Sequence, residues 1–329
     1  MRTIINKIFI VLGLFVFCLP NALAVNLVQK EDVLKRELII AGLADFPPFS
    51  YYDKKLGAYY LRSAFIKPIK EAFSNYSFSF KQYNLKNEQF NNPKLFMIAV
   101  KSGTINVFIG AMSDTKLFSG LELIYPASVS NPVHIITTAE GADKIKSTAD
   151  LKNLKGIVCT QEYLSDFVMR KIKSLNLEYV NTPYEAYEKL FTDEVDYMIG
   201  SAYFNRIMSS RYGINRYLSY SKNPIFKIPM FIAISKLTPI WEEYAKAFRQ
   251  EFSKPSFGSS VKEEILRMVT EEEQKNDGIV PPAFVKHIQE DTNDQQPEED
   301  AEQAVDKLAG HIVEQKVEEK TFDEVLDGI

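Results

Sequence analysis

Two stretches decide how this chain is read: P-K-L-F-M-I-A-V-K-S-G-T-I-N-V-F-I-G, from Pro93 to Gly110, and P-Y-E-A-Y-E-K-L-F-T-D-E-V-D-Y-M-I-G, from Pro183 to Gly200. Laid side by side without a gap, Pro93 meets Pro183, Ile105 meets Val195, Asn106 meets Asp196, Ile109 meets Ile199 and Gly110 meets Gly200. Each stretch reads as a helix opened by proline, a polar turn, and an apolar strand that stops at glycine. Any helix-turn-strand unit has these parts, but two of equal length with the same order of residue types point to two similar lobes. In open parallel sheets ligands bind outside the carboxyl ends of the strands, so Gly110 and Gly200 are expected to bring approachable backbone to a ligand cleft.

Working outward, strand-like runs alternate with amphipathic segments of helix length. Leu38 to Leu43, Phe78 to Tyr83 and Val107 to Met112 read as strands, with helices near Leu61 to Phe73 and Pro93 to Lys101. The pattern resumes with strands at Ile157 to Thr160, Leu177 to Val180 and Tyr197 to Gly200, and helices at Leu164 to Leu175, Pro183 to Phe191 and Tyr203 to Tyr212. The expected fold class is α/β, two doubly wound lobes with largely parallel sheets. Two apolar runs, Val133 to Thr138 and Pro229 to Ser235, read as hinge strands crossing between the lobes, and helices at Ile240 to Phe252 and Val261 to Val269 follow. This places lobe one at residues 37–132 with 235–275 and lobe two, inserted within it, at 133–234.

The ends of the chain carry a different message. Arg2 and Lys7 precede an apolar run from Ile8 to Leu19, and Ala22-Leu23-Ala24 forms a small-residue cleavage site, so residues 1–24 read as a secretory signal peptide cut near Ala24. The run is too short for a membrane span, which needs about 20 residues. The formal charge of −4 becomes −6 once Arg2 and Lys7 are removed, which argues against nucleic acid as a partner. Of the two cysteines only Cys159 survives cleavage, and its apolar setting reads as a buried thiol. Residues 276–329 change character: Glu290 to Asp300 is an acidic linker, and Val305, Leu308, Ala309, Ile312 and Val313 fall at helical spacing, as in an amphipathic helix that would suit a protein partner.

At this point the chain resembles the family 3 extracellular solute-binding proteins, the polar amino-acid binding components of ABC transporters with the type II periplasmic-binding fold. Ile39-Ile40-Ala41-Gly42 followed by Phe46-Pro47-Pro48-Phe49-Ser50-Tyr51 is similar to that family's first strand and aromatic-Pro-Phe turn. Ile105 to Thr115 is similar to its glycine-serine-threonine ligand segment, and Asp150-Leu151-Lys152, Asp196 to Ser201 and Phe231 to Lys236 fall in its order. The resemblance implies a ligand site drawn from Phe46, Phe49, Gly110, Ala111, Ser113, Thr115, Phe118, Tyr163, Ser201 and Tyr203. It also exposes two departures. Where amino-acid binders place an arginine to clamp the ligand carboxylate, this chain has Phe118, and where they place an aspartate for the ammonium it has Ser201. Asp114 or Glu162 is left to supply a charge.

These readings converge on a periplasmic substrate-binding protein, not an enzyme, that closes two lobes over a small solute other than a standard α-amino acid, with an inner-membrane ABC permease as partner. No cofactor is expected: the histidines, His134, His287 and His311, are scattered, and no G-x-S-x-G, Walker or H-E-x-x-H pattern is present. Two rivals stay open. One is a sensory or protein-interaction module on the same scaffold, favoured by the missing clamps and the added tail; the other is a periplasmic dehydratase or lyase using Asp114 and Glu162 as acids.

Overall fold

The computed structural model describes residues 37–55, 58–85, 98–113, 118–145 and 147–275. The expected signal segment, the acidic tail, the start of the helix at Pro93, and Asp114 and Thr115 lie outside these residues. Contacts group the described chain into two compact units, residues 37–131 with 228–269 and residues 132–227 with 270–275.

The first unit opens with β1 (Glu37–Gly42), then a small antiparallel sheet of β2 (Asp45–Phe46), β3 (Ser50–Lys55) and β4 (Ala58–Arg62). Helix α1 (Ile66–Ala72) leads to β5 (Ser79–Gln82), and β6 (Val107–Ala111) follows; β1 lies parallel to both. The expected helix from Leu61 is shorter than its amphipathic pattern suggests, because Leu61 and Arg62 pair in β4. Ser63 then closes a turn by accepting the Phe65 N–H at 3.0 Å, and the Ala64 N–H donates to the Pro48 carbonyl at 3.0 Å. Strand β7 (Leu121–Thr138) carries the chain into the second unit. Only its last third was readable as strand, since Pro126, Ser128, Ser130, Asn131 and Pro132 signal turns when taken locally.

In the second unit β8 (Gly156–Cys159) and α2 (Asp166–Ile172) are followed by β9 (Leu177–Val180), α3 (Pro183–Phe191), β10 (Tyr197–Ser201), α4 (Ala202–Arg211) and β11 (Leu218–Tyr220). β8 lies parallel to β9 and β10, while β10 and β11 each run antiparallel to β7. The helices start where the sequence supplies caps. Ser165, Thr182 and Ser201 accept the N–H groups of Val168, Glu185 and Phe204, and Pro183 stands in the first turn of α3, where its missing N–H costs nothing.

Strand β12 (Phe226–Ser235) returns the chain. The boundary expected at residue 234 falls at Lys227 instead, because Ile232, Ala233 and Ile234 pair with Ile109, Phe108 and Val107 of β6 and so belong to the first unit. Helix α5 (Trp241–Phe252) completes an aromatic cluster there, with the Phe73 ring 5.1 Å from Phe248 and 5.4 Å from Phe78. Helix α6 (Pro255–Lys275) is longer than the expected Val261 to Val269. Its last turn is held in the second unit by Arg206, which donates to both Glu273 oxygens at 2.8 and 2.9 Å, and by Arg211, which donates to Glu272 at 3.1 Å.

The two stretches that opened the reading share one device. The Asn106 N–H donates to the Ile39 carbonyl at 2.9 Å, and the Asn106 Oδ1 accepts the Ile39 N–H at 2.8 Å. Its counterpart Asp196 donates its N–H to the Lys155 carbonyl at 2.7 Å, and its Oδ2 accepts the Lys155 N–H at 2.9 Å. One residue per unit thus satisfies both backbone groups of a partner on the neighbouring segment, the carbonyl through its own N–H and the N–H through its side-chain oxygen, and sets the parallel register. The environments differ: Asn106 is buried, with its Nδ2 donating to Gly103 O and Thr238 Oγ1, whereas the Asp196 bond is exposed. Asn106→Ala is therefore expected to cost about 1–3 kcal/mol by stranding the Ile39 N–H, and Asp196→Ala less than about 1 kcal/mol because water replaces the oxygen. Urea unfolding of the two variants checks the order; equal losses would contradict it.

Candidate functional site

The sites expected from the sequence lie at the carboxyl ends of β6 and β10, one in each unit. In the first unit Gly110 has φ +74°, and it is the residue by which β6 exceeds β12, since Ala111 faces Phe231 while Ile109 faces Ile232. A positive φ at an inserted strand residue is a bulge that glycine forms without strain. Phe46 and Phe49 are fully buried with ring centroids 5.2 Å apart, and Ala111 is buried too. Ser113 is exposed. Phe118, at the position of the missing arginine, is 4% exposed and packs on Phe108 at 5.1 Å, so it serves the core of this unit rather than a ligand.

In the second unit the strand end is built around a carboxyl group. After β8 the chain makes a turn of 3-10 helix over Thr160–Glu162, and Tyr163 adopts a left-handed conformation with φ 49°. This turn aims Glu162 inward. Its Oε2 accepts the Ser201 N–H at 2.6 Å and its Oε1 accepts from Asn205 Nδ2 at 2.9 Å. Asn205 is fixed in turn, since its Nδ2 also donates to Ser201 O at 2.9 Å and its Oδ1 accepts the Tyr187 hydroxyl at 2.7 Å. All four residues are fully buried.

Gly200 makes this arrangement possible. A Cβ there would stand 2.5 Å from both Asn205 Nδ2 and Glu162 Oε1, closer than real side chains approach. The glycine was expected to offer open backbone to a ligand; instead the space beside it is filled from within by Glu162. Ser201 is likewise committed, its hydroxyl capping α4. Tyr163 and Tyr203 are half-buried at the same end, and burial raises the Tyr203 hydroxyl above its ordinary range. Sequence reasoning singled out Glu162, Ser201 and Gly200 but missed Asn205 and Tyr187. The only local signal was the spacing of Ser201 and Asn205, which puts both on one face of α4.

Burial dominates the chemistry of Glu162, pushing its carboxyl up to about 8 against the opposing pull of the Asn205 and Ser201 donors. Nearby Cys159 is pushed up to about 12, first by burial and then by Glu162, which leaves an unreactive thiol. His134 is lowered by burial and bonds the Ser221 carbonyl through Nδ1 at 2.8 Å, a structural role on β7. Among the described residues no group of three or more His, Cys, Asp or Glu side chains could hold a metal ion.

Comparison with solved structures decides what this architecture is. The chain is similar to the GluR0 ligand-binding core in complex with L-glutamate, with a TM-score of 0.52 and 15% identity over 71% of this chain and 98% of that one. A substrate-binding protein of an amino acid ABC transporter, AbpA from Streptococcus pneumoniae bound to L-arginine, matches at 0.52 and 15% identity, covering 72% and 95%. The chain has the type II periplasmic-binding fold. A probable amino-acid ABC transporter extracellular-binding protein of Bacillus subtilis, ytmK, shares the same fold at 0.52 and 12% identity over 71% and 98%. No known protein-family model and no curated protein sequence matches the chain. At this identity the fold is what is shared, so the side chains that fill the strand ends have to be read from this chain itself.

The carboxyl of Glu162 gives a pH dependence of definite sign. In the folded protein it titrates near 8 rather than 4.5, so the folded unit keeps a proton that the unfolded chain releases. The associated stability is complete below about pH 4.5 and is lost as pH rises through about 8. The slope in that window approaches about 1.4 kcal/mol per pH unit. Glu162→Gln is expected to flatten it. Denaturant melts at half-unit pH steps test this, and a slope retained in the variant would assign the dependence to another group.

Proposed function

We propose that this chain is an exported solute-binding protein that captures a small molecule with groups from the strand ends of both units and delivers it to an ABC permease. The carrying observation is the match over nearly the full length of proteins whose descriptions name bound L-glutamate and L-arginine. The signal-like N-terminus and the extracellular description of ytmK support a periplasmic setting. A ligand held by both units makes its full set of bonds in one arrangement of them, so binding shifts the conformational population.

The ligand is not a standard α-amino acid. The two positions where a charged clamp is expected carry Phe118, packed on Phe108, and Ser201, engaged in capping α4. Neither offers charge, and among the described residues the Glu162 carboxyl is spent on Ser201 and Asn205 inside the second unit. Among the described residues the expected site carries aromatic and hydroxyl-bearing side chains at Tyr163, Tyr203 and Ser113. They suit a larger solute with few charges.

Mass spectrometry of small molecules released by denaturing the purified protein tests the proposal. A single co-purifying solute without a free α-amino-acid group is expected. Added back, it should raise the melting temperature and reduce the radius of gyration in scattering. Saturable binding of glutamate or arginine would overturn the ligand class, and a solute that binds without changing the radius would overturn the capture mechanism.

A further inference from the structure

A cavity of about 420 Å³ opens in the second unit, away from the strand ends that carry Glu162 and Ser201. Its volume lies in the range of small-molecule sites, roughly 300–1,000 Å³. Ile135 of β7, Leu151, Ile172 of α2 and Phe226 line it, and all are nearly inaccessible at 6%, 3%, 2% and 5% exposure. Ser221 also lines it but is already engaged, accepting the Ile135 N–H at 3.2 Å and donating to the Asn223 carbonyl at 2.9 Å. Ser147, Thr148 and Asn223 add polar groups to the lining, and an apolar body gains where it replaces water against Ile135, Leu151, Ile172 and Phe226.

The mouth has the opposite character. Lys171 and Lys222 are exposed among the lining residues, none of which is acidic. The Lys171 ammonium stands 5.6 Å from the centre of the Phe167 ring, which meets Phe226 edge-on at 6.4 Å. Among the described residues neither ammonium has a carboxylate in ion-pair range, whereas Lys155 and Lys189 of the same unit both pair with Glu178. An apolar floor with a cationic mouth complements a molecule with the reverse polarity.

We propose that this cavity binds an amphipathic anion of the medium-chain carboxylate class, with its alkyl chain on Leu151, Ile172 and Phe226 and its carboxylate at Lys171 and Lys222. The site is separate from the solute site proposed above, and its occupant differs in class from the solute expected there. The ligand order follows from the two halves of the cavity. Each added methylene strengthens binding about fourfold while the chain still finds apolar wall, and the charge contribution weakens as salt screens the exposed ammonium groups.

Calorimetric titration of the full chain with hexanoate, octanoate and decanoate, all below their micellar concentrations, and with decanol tests this. One-to-one binding is expected, rising along the carboxylate series, with decanol about tenfold weaker than decanoate. In Lys171→Gln/Lys222→Gln the preference for decanoate over decanol should vanish while decanol binding is kept. Ile225→Trp, which places an indole in the lining, should abolish binding of both. The proposal is overturned if the native chain binds no carboxylate, if decanol binds as tightly as decanoate, or if the lysine variant keeps the preference. Should Ile225→Trp fail to fold, the lysine variant alone decides, since both side chains are exposed and their loss leaves the packing intact.

Discussion

Within each unit a pair of hydrogen bonds from one residue, one through its backbone N–H and one through its side-chain oxygen, fixes the register of the parallel strands. Asn106 in the first unit closes both backbone groups of Ile39 in β1, and Asp196 in the second closes those of Lys155, just before β8. The energy is modest, yet the consequence is large. In a sheet with period two, a slip of one residue would turn every apolar side chain to the wrong face. With register set, Val107 to Ala111 and Tyr197 to Ser201 are buried along their whole length, and their carboxyl ends emerge where a loop or helix must take over.

What happens at those ends differs between the units. In the first, the chain escapes the sheet through a bulge at Gly110 and packs Phe46, Phe49 and Phe118 into its core. In the second, the strand passes directly into α4, and the amino end of that helix meets a buried carboxyl. Placing an acid there is costly, and the cost is offset by two donors and by the favourable end of the helix dipole. Gly200 completes the arrangement by leaving the volume that Glu162 and Asn205 occupy. This corner is a rigid polar network, and its titration couples the folding of the unit to pH.

The type II periplasmic-binding fold supplies a scaffold, and the side chains on it are this chain's own. Positions expected to hold a charged clamp are taken by an aromatic in a core and a hydroxyl at a helix cap. The second unit instead buries a carboxyl that burial keeps protonated, Glu162, and carries lysines at the mouth of its cavity. A scaffold of this kind can carry more than one ligand site because each unit has its own core and its own surface.

Periodicity and local chemistry, read from the sequence alone, determined the α/β class, the alternation of strands and helices, and the kinship of the two stretches ending at Gly110 and Gly200. These depend on residues a few positions apart, whose preferences survive without a partner. Only the tertiary structure decided that β7 runs eighteen residues through turn-forming sequence, that Gly110 is an inserted residue opposite β12, and that the room at Gly200 belongs to Glu162. Those features are set by groups far apart in the chain, and whether a glycine opens outward to a ligand or inward to a carboxylate depends on which distant side chain reaches it first.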